Sequence, residues 1–127
     1  MKLERERELI DKYSNLFEPE EIRRDETKSC MAWGFEIGNG WSTILEDMLE
    51  QVSEVVKRKQ LKDFYFVQIK EKFGCLRVYT SLHDDEISEI IQNYEELSGE
   101  ICEICGEPGV LRKGGWIKCL CDKHVKK

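Results

Sequence analysis

Apolar and polar positions alternate along this chain in a way that marks out its elements one after another. From Leu3 to Phe17 the apolar residues Leu9, Ile10, Tyr13, Leu16 and Phe17 recur at helical spacing, and Glu18-Pro19 is expected to end that helix. Residues 19–32 hold no sustained period and read as a connection with a turn near Glu20–Arg24. Trp33–Ile37 predicts a short strand, and Gly38-Asn39-Gly40 a tight turn into the clearest helix. There Ile44, Leu45, Met48, Leu49, Val52, Val55 and Val56 fill one face, Thr43 and Glu46 have capping-box spacing, and Lys57, Arg58 and Lys59 suit the negative end of the helix dipole. Phe64–Lys70 and Cys75–Ser81 are β-rich runs about a Lys72-Phe73-Gly74 turn. Asp84, Asp85 and Glu86 open a last helix with a core face of Ile87, Ile90, Ile91, Tyr94 and Leu97, closed by Ser98-Gly99.

These elements predict an α+β fold: three helices on a small antiparallel sheet, followed by a C-terminal zinc knuckle and β-hairpin. Residues 1–100 form the expected α+β core. Residues 101–127 form the zinc-binding unit, packed on that core in one compact domain, with Trp116, Val110 and Ile117 expected to anchor it. At 127 residues, 40% apolar and 36% charged, the chain has a globular balance and room for one core. It contains no apolar run of the roughly 20 residues a spanning helix needs, and Met1–Ile10 alternates acids with bases instead of resembling a secretory signal. A cytoplasmic location is therefore expected. Phe64, Tyr65 and Phe66 exceed what one face of a two-stranded hairpin buries, which leaves the oligomeric state open.

The net charge of −6 argues against bulk attraction to nucleic acid or anionic membrane, but it is unevenly distributed. Residues 81–100 hold seven acids and no Lys or Arg, whereas residues 101–127 hold six Lys and Arg, three acids and four of the six cysteines.

Those cysteines carry the strongest chemical signal. Cys102-Glu103-Ile104-Cys105 and Cys121-Asp122-Lys123-His124 offer two pairs of ligands to one tetrahedral ion, and thiolates with an imidazole suit Zn2+. Val110–Arg112 and Trp116–Leu120, flanking Lys113-Gly114-Gly115, predict a hairpin that brings the pairs together. Cys119 is an alternative to Cys121 as third ligand, although Cys121 and His124 have the i,i+3 relation that a helical turn favours. A thioredoxin-like redox pair would open a helix, whereas Cys105 runs into Gly106, Pro108 and Gly109. Four good protein ligands close the shell, so the expected zinc is structural, and a unit this small should not fold without it.

Other constellations have plainer readings. Gly38-x-Gly40 lacks the remaining residues of a phosphate loop and reads as a turn. His83 is the one histidine outside the expected zinc site, a thin basis for a hydrolase or nuclease centre. Glu86, Glu89, Asn93, Glu96 and Glu100 share a helix face that is either a solvated surface or a contact for a basic partner. Lys70, Lys72 and Arg77 surround Phe73. Arg112, Lys113, Lys118, Lys123, Lys126 and Lys127 surround Trp116, a mixture suited to phosphates and a stacked base.

Three stretches, WGFEIGNGW (33–41), VQIKEKFGCLRVY (67–79) and CEICGEPGVLRKGGWIKCLCDKH (102–124), together resemble a family of small zinc-knuckle proteins of bacterial and phage genomes. The resemblance implies Cys102, Cys105, Cys121 and His124 as ligands and, through its phage association, a role in host takeover or evasion of host defence. It implies no activity or substrate. The leading expectation is a non-enzymatic, zinc-stabilised binding module acting on a macromolecular partner, in the first instance a protein. Its candidate contacts are Lys72, Phe73 and Arg77, and Glu86, Glu89 and Glu96 on the acidic helix. The alternative is a nucleic-acid-binding protein using Arg112, Lys113, Trp116 and Lys118 of the zinc hairpin. A small hydrolase around His83 ranks third.

Overall fold

The computed structural model describes residues 1–125, so Lys126 and Lys127 lie outside the described residues. Its elements are α1 (Leu3–Lys12), α2 (Glu20–Arg23), β1 (Phe35–Glu36), α3 (Ser42–Lys59), β2 (Phe66–Lys72), β3 (Cys75–Thr80), α4 (Asp85–Ser98), β4 (Val110–Arg112) and β5 (Lys118–Leu120), with 3-10 turns at Ser14–Leu16, Cys30–Trp33 and Asn39–Trp41. The class is α+β, with a fourth, one-turn helix and two separate sheets. The larger sheet has the order β1-β2-β3 and is mixed, not antiparallel. Because α3 carries the chain between β1 and β2, these strands run parallel, Phe35 opposite Ile69 and Glu36 opposite Lys70.

All seven apolar positions expected on the face of α3 are buried, and Leu9, Ile10, Tyr13, Leu16 and Phe17 join them from the N-terminal segment. Burial of such side chains contributes about 1.5–3 kcal/mol each before entropy is counted. Phe64 and Phe66 are buried within the same core, where Phe66 also packs on Phe17 with ring centroids 5.7 Å apart. The aromatic run beside the hairpin therefore needs no second copy to cover its two phenylalanines.

Several local expectations fail for tertiary reasons. The first helix stops at Lys12, before Glu18-Pro19, and a 3-10 turn turns Leu16 inward. Trp33 lies in a 3-10 turn at 67% exposure instead of in the strand, because Gly34 at φ 71° breaks the extended run. The Thr43/Glu46 capping box does not form: Trp41 precedes the helix without a side-chain cap, and Glu46 pairs with Arg5 and Lys12 of α1. On α4, Leu97 is exposed and Ser98 is fully buried. The Ser98 hydroxyl accepts from the Leu76 amide at 2.8 Å and the Glu95 carboxylate from the Val78 amide at 3.0 Å, so α4 satisfies donors along the edge of β3. Among the described residues no helix is long and apolar enough to cross a membrane.

Candidate metal centre

Cys102 and Cys105 lie in a tight turn after α4, where the Gly106 amide donates to the Cys102 carbonyl at 2.9 Å with Gly106 at φ 83°. Cys121 follows β5, and the turn after it closes as the amides of His124 and Val125 both donate to the Cys121 carbonyl at 3.1 Å. Antiparallel pairing of β4 with β5 joins the two turns, Leu111 opposite Cys119. The result is a Cys3His cluster, Cys102, Cys105, Cys121 and His124, whose ligand atoms all lie within 4.8 Å of one another. Cys105 Sγ is 3.7 Å from Cys121 Sγ, and His124 Nδ1 is 3.7 Å from Cys102 Sγ and 3.2 Å from Cys121 Sγ. These four side chains could hold a metal ion.

The electrostatics of the cluster point the same way. Burial opposes ionisation of Cys102, but the backbone amides of Cys121, Cys105 and Ile104 prevail and lower its thiol to about 6. For Cys105 the Glu107 amide favours the thiolate, yet burial and the neighbouring sulfurs of Cys121 and Cys102 outweigh it and raise the pKa. Hydrogen bonds to Cys121 and Cys102 raise His124. Cys121 is lowered as well, burial being outweighed by hydrogen bonds, first that from His124, so two thiols favour the thiolate while Cys105 is held back by its neighbours, a conflict that a bound cation would relieve.

Cys119 is not in the cluster. It is fully buried in the apolar core, and burial pushes its thiol up to about 11.

The cluster is joined to the rest of the molecule mostly by contacts other than the expected anchors. Ile117 is half-buried and lies against Gly74, but Trp116 and Val110 are exposed. Instead, the Gly40 amide donates to the Glu103 carbonyl at 2.8 Å, the Gly38 amide to the Glu103 carboxylate at 2.9 Å, and the indole of the fully buried Trp41 to the Ile101 carbonyl at 2.9 Å. The glycines at 38 and 40 are required by close approach, since a Cβ on Gly40 would sit 2.2 Å from the Cys102 carbonyl oxygen. Glu71 ties β2 to β5, accepting from the Gly74 amide at 2.7 Å and from Lys118 Nζ at 3.2 Å. Spacing within the chain contains no trace of Glu71 or Glu103 in these roles; a Gly-x-Gly with no phosphate-loop partner was the available sign of close backbone contact.

The remaining candidate residues are dispersed over the surface. Arg112, Lys113, Trp116 and Lys118 line one groove of about 910 Å³, but Arg112 pairs with Asp122 at 2.9 Å and Lys118 pairs with Glu71 and Glu103. Lys72 and Phe73 line a second groove together with Trp116, while Arg77 stands opposite Lys70 on β3. Glu86 and Glu89 border a depression between α3 and α4, where Glu86 pairs with Arg58 and Lys59; Glu96 is exposed on the same helix. His83 is exposed and bonded to Asp85 at 2.8 Å.

The fold and the cluster define an α+β protein with a candidate Cys3His metal centre. Compared with family models, curated proteins and solved structures, the chain matches none of them.

Proposed function

We propose that the protein is a non-enzymatic binding module whose residues beyond 100 fold around a structural zinc ion and which acts by occupying a macromolecular partner. The observation that carries this reading is the mutual distance of the four ligand atoms. A tetrahedral zinc with bonds of about 2.3 Å to sulfur and 2.0–2.1 Å to nitrogen places two thiolates about 3.8 Å apart and a thiolate and an imidazole about 3.5 Å apart. Three of the six separations, 3.7, 3.7 and 3.2 Å, are close to those edges, and all six lie within 4.8 Å. Three soft thiolates and one imidazole favour zinc over magnesium or calcium. The resemblance to small zinc-knuckle proteins implies the same ligands.

Four protein donors fill a tetrahedral shell and leave no position for substrate or water, which favours a structural role over Lewis-acid chemistry. The imidazole outside the cluster, His83, is solvent-exposed with Asp85 as its hydrogen-bond partner.

Metal analysis and native mass spectrometry on protein purified without added metal test the reading. One zinc per chain, removed by chelator with loss of the cooperative unfolding transition, supports it. A metal-free protein that unfolds cooperatively, or catalytic turnover lost in His83→Ala, would overturn it.

A further inference from the structure

We propose that the groove between the β2–β3 turn and the β4–β5 turn binds a short stretch of single-stranded nucleic acid, with Phe73 and Trp116 as stacking platforms and Lys70 and Lys72 as phosphate contacts. This names the partner of the binding module and rests on that reading.

The groove encloses about 340 Å³ between two hairpin tips that are remote in sequence. Packing holds the tips together. Gly74 lies so close to the zinc hairpin that a Cβ there would meet Leu111 Cδ2 at 2.6 Å and Ile117 Cγ2 at 3.2 Å. Lys118 reaches across to Glu71 from the other side.

Both aromatic residues are held where folding has no use for them. Trp116 is 81% exposed, next to two glycines with positive φ. Phe73 is 66% exposed and has φ 53°, a left-handed conformation that suits Asn or Gly and disfavours a bulky side chain. The hairpin therefore accepts backbone strain to present a ring to solvent, and strain of this kind clusters at functional positions.

Charge selects the occupant. Among the described residues no carboxylate lies within ion-pair distance of Lys70 or Lys72, whereas two of the three cations lining the neighbouring groove, Arg112 and Lys118, are paired and Lys113 is not. Lys72 Nζ lies 5.8 Å from the centroid of the Phe73 ring, so a cation and a π-face are presented together. Glu71, the acid bordering the groove, is occupied by the Gly74 amide and Lys118. Free cations beside exposed rings suit a phosphate backbone with unstacked bases, and with a net charge of −6 any such attraction comes from local patches of this kind and not from the surface as a whole.

The test titrates the protein as purified, with zinc measured on the same sample, into labelled oligothymidylate of about 15 nucleotides at low ionic strength, reading fluorescence anisotropy. Binding should saturate, exceed that of a duplex of equal length, and weaken with salt at a log–log slope of about −1.4 for two phosphates. Trp116→Ala and Phe73→Asn should each weaken binding about fivefold or more. Phe73→Asn should melt no lower than the parent, which separates lost contact from lost fold. Lys70→Glu with Lys72→Glu should flatten the salt slope. No binding by zinc-loaded protein, equal or tighter duplex binding, a salt-independent signal, or affinity unchanged in both aromatic variants would overturn the proposal. A peptide or protein captured at Phe73 and Trp116 in place of nucleic acid would also overturn it. Oligonucleotide binding by protein free of zinc would leave this groove assigned and overturn the zinc reading instead.

Discussion

The amide of Gly40 donates to the carbonyl of Glu103 at 2.8 Å, joining the turn before α3 to the turn that carries two of the candidate metal ligands. A methyl group at position 40 would meet the Cys102 carbonyl oxygen at 2.2 Å and the Gly106 nitrogen at 2.6 Å, both of them backbone atoms. Gly40→Ala is expected to cost about 1–3 kcal/mol, read as a lower denaturant midpoint. Gly99→Ala is the contrast: its Cβ would have contacts no closer than 3.4 Å, and the change should be neutral or stabilising by about 0.4–1 kcal/mol.

Cys119 and Cys121 are neighbours in sequence with different surroundings. Cys121→Ser should lose stoichiometric metal, while Cys119→Ala should keep it and lose stability by about 1 kcal/mol through a small core cavity. Colorimetric zinc titration alongside thermal melts distinguishes the two outcomes.

Two carboxylates on or beside α4 should give opposite pH signatures. Asp84 is held below its usual 3.8, first by Lys59 and then by the Ile87 amide it caps. Its contribution is present above 3.8 and is lost as pH falls through the lowered value. Glu95 is raised above 4.5 by burial, so its contribution is present below 4.5 and is lost as pH rises through the raised value. Melting temperatures across pH should therefore show Asp84→Asn less stable than the parent at neutral pH, with the deficit closing in acid. Glu95→Gln keeps an acceptor for the Val78 amide; it should match or exceed the parent at neutral pH and lose that advantage below 4.5.

Glu46 joins α1 to α3 through Arg5 and through Lys12 at 2.9 Å. Glu46→Ala should cost about 1 kcal/mol or less and act locally, speeding hydrogen exchange at the Leu9 and Ile10 amides more than at the Val52 amide. Uniform acceleration across all three would show that α1 does not open by itself.

The elements easiest to read from sequence were those written in local periodicity. The seven buried positions of α3 and the two ligand pairs each lie within a few turns of chain, where side-chain spacing and geometry are the same information. The parts that escaped depend on distant partners. Glu46 has the spacing of a cap residue, and only the arrival of α1 turns it into an ion-pair hub. Leu97 obeys the helical period, yet Ser98 is the buried residue because β3 offers it an amide to bond. Phe73 and Trp116 read as members of separate patches until Gly74 packs beneath the β4–β5 hairpin.

The hydrogen bond from Trp41 to Ile101 also bears on the order in which the chain folds. The indole lies in the centre of the core, fully buried, and its acceptor is 60 residues further along. Until residue 101 has been synthesised, the first hundred residues can collapse around Trp41 only by leaving its N–H without that acceptor or by keeping it in contact with water. Such a distant closure slows folding compared with local helix pairing. A nascent chain of this protein would reach its final core late, when the segment bearing Cys102 and Cys105 docks against the turn at Gly38 and Gly40.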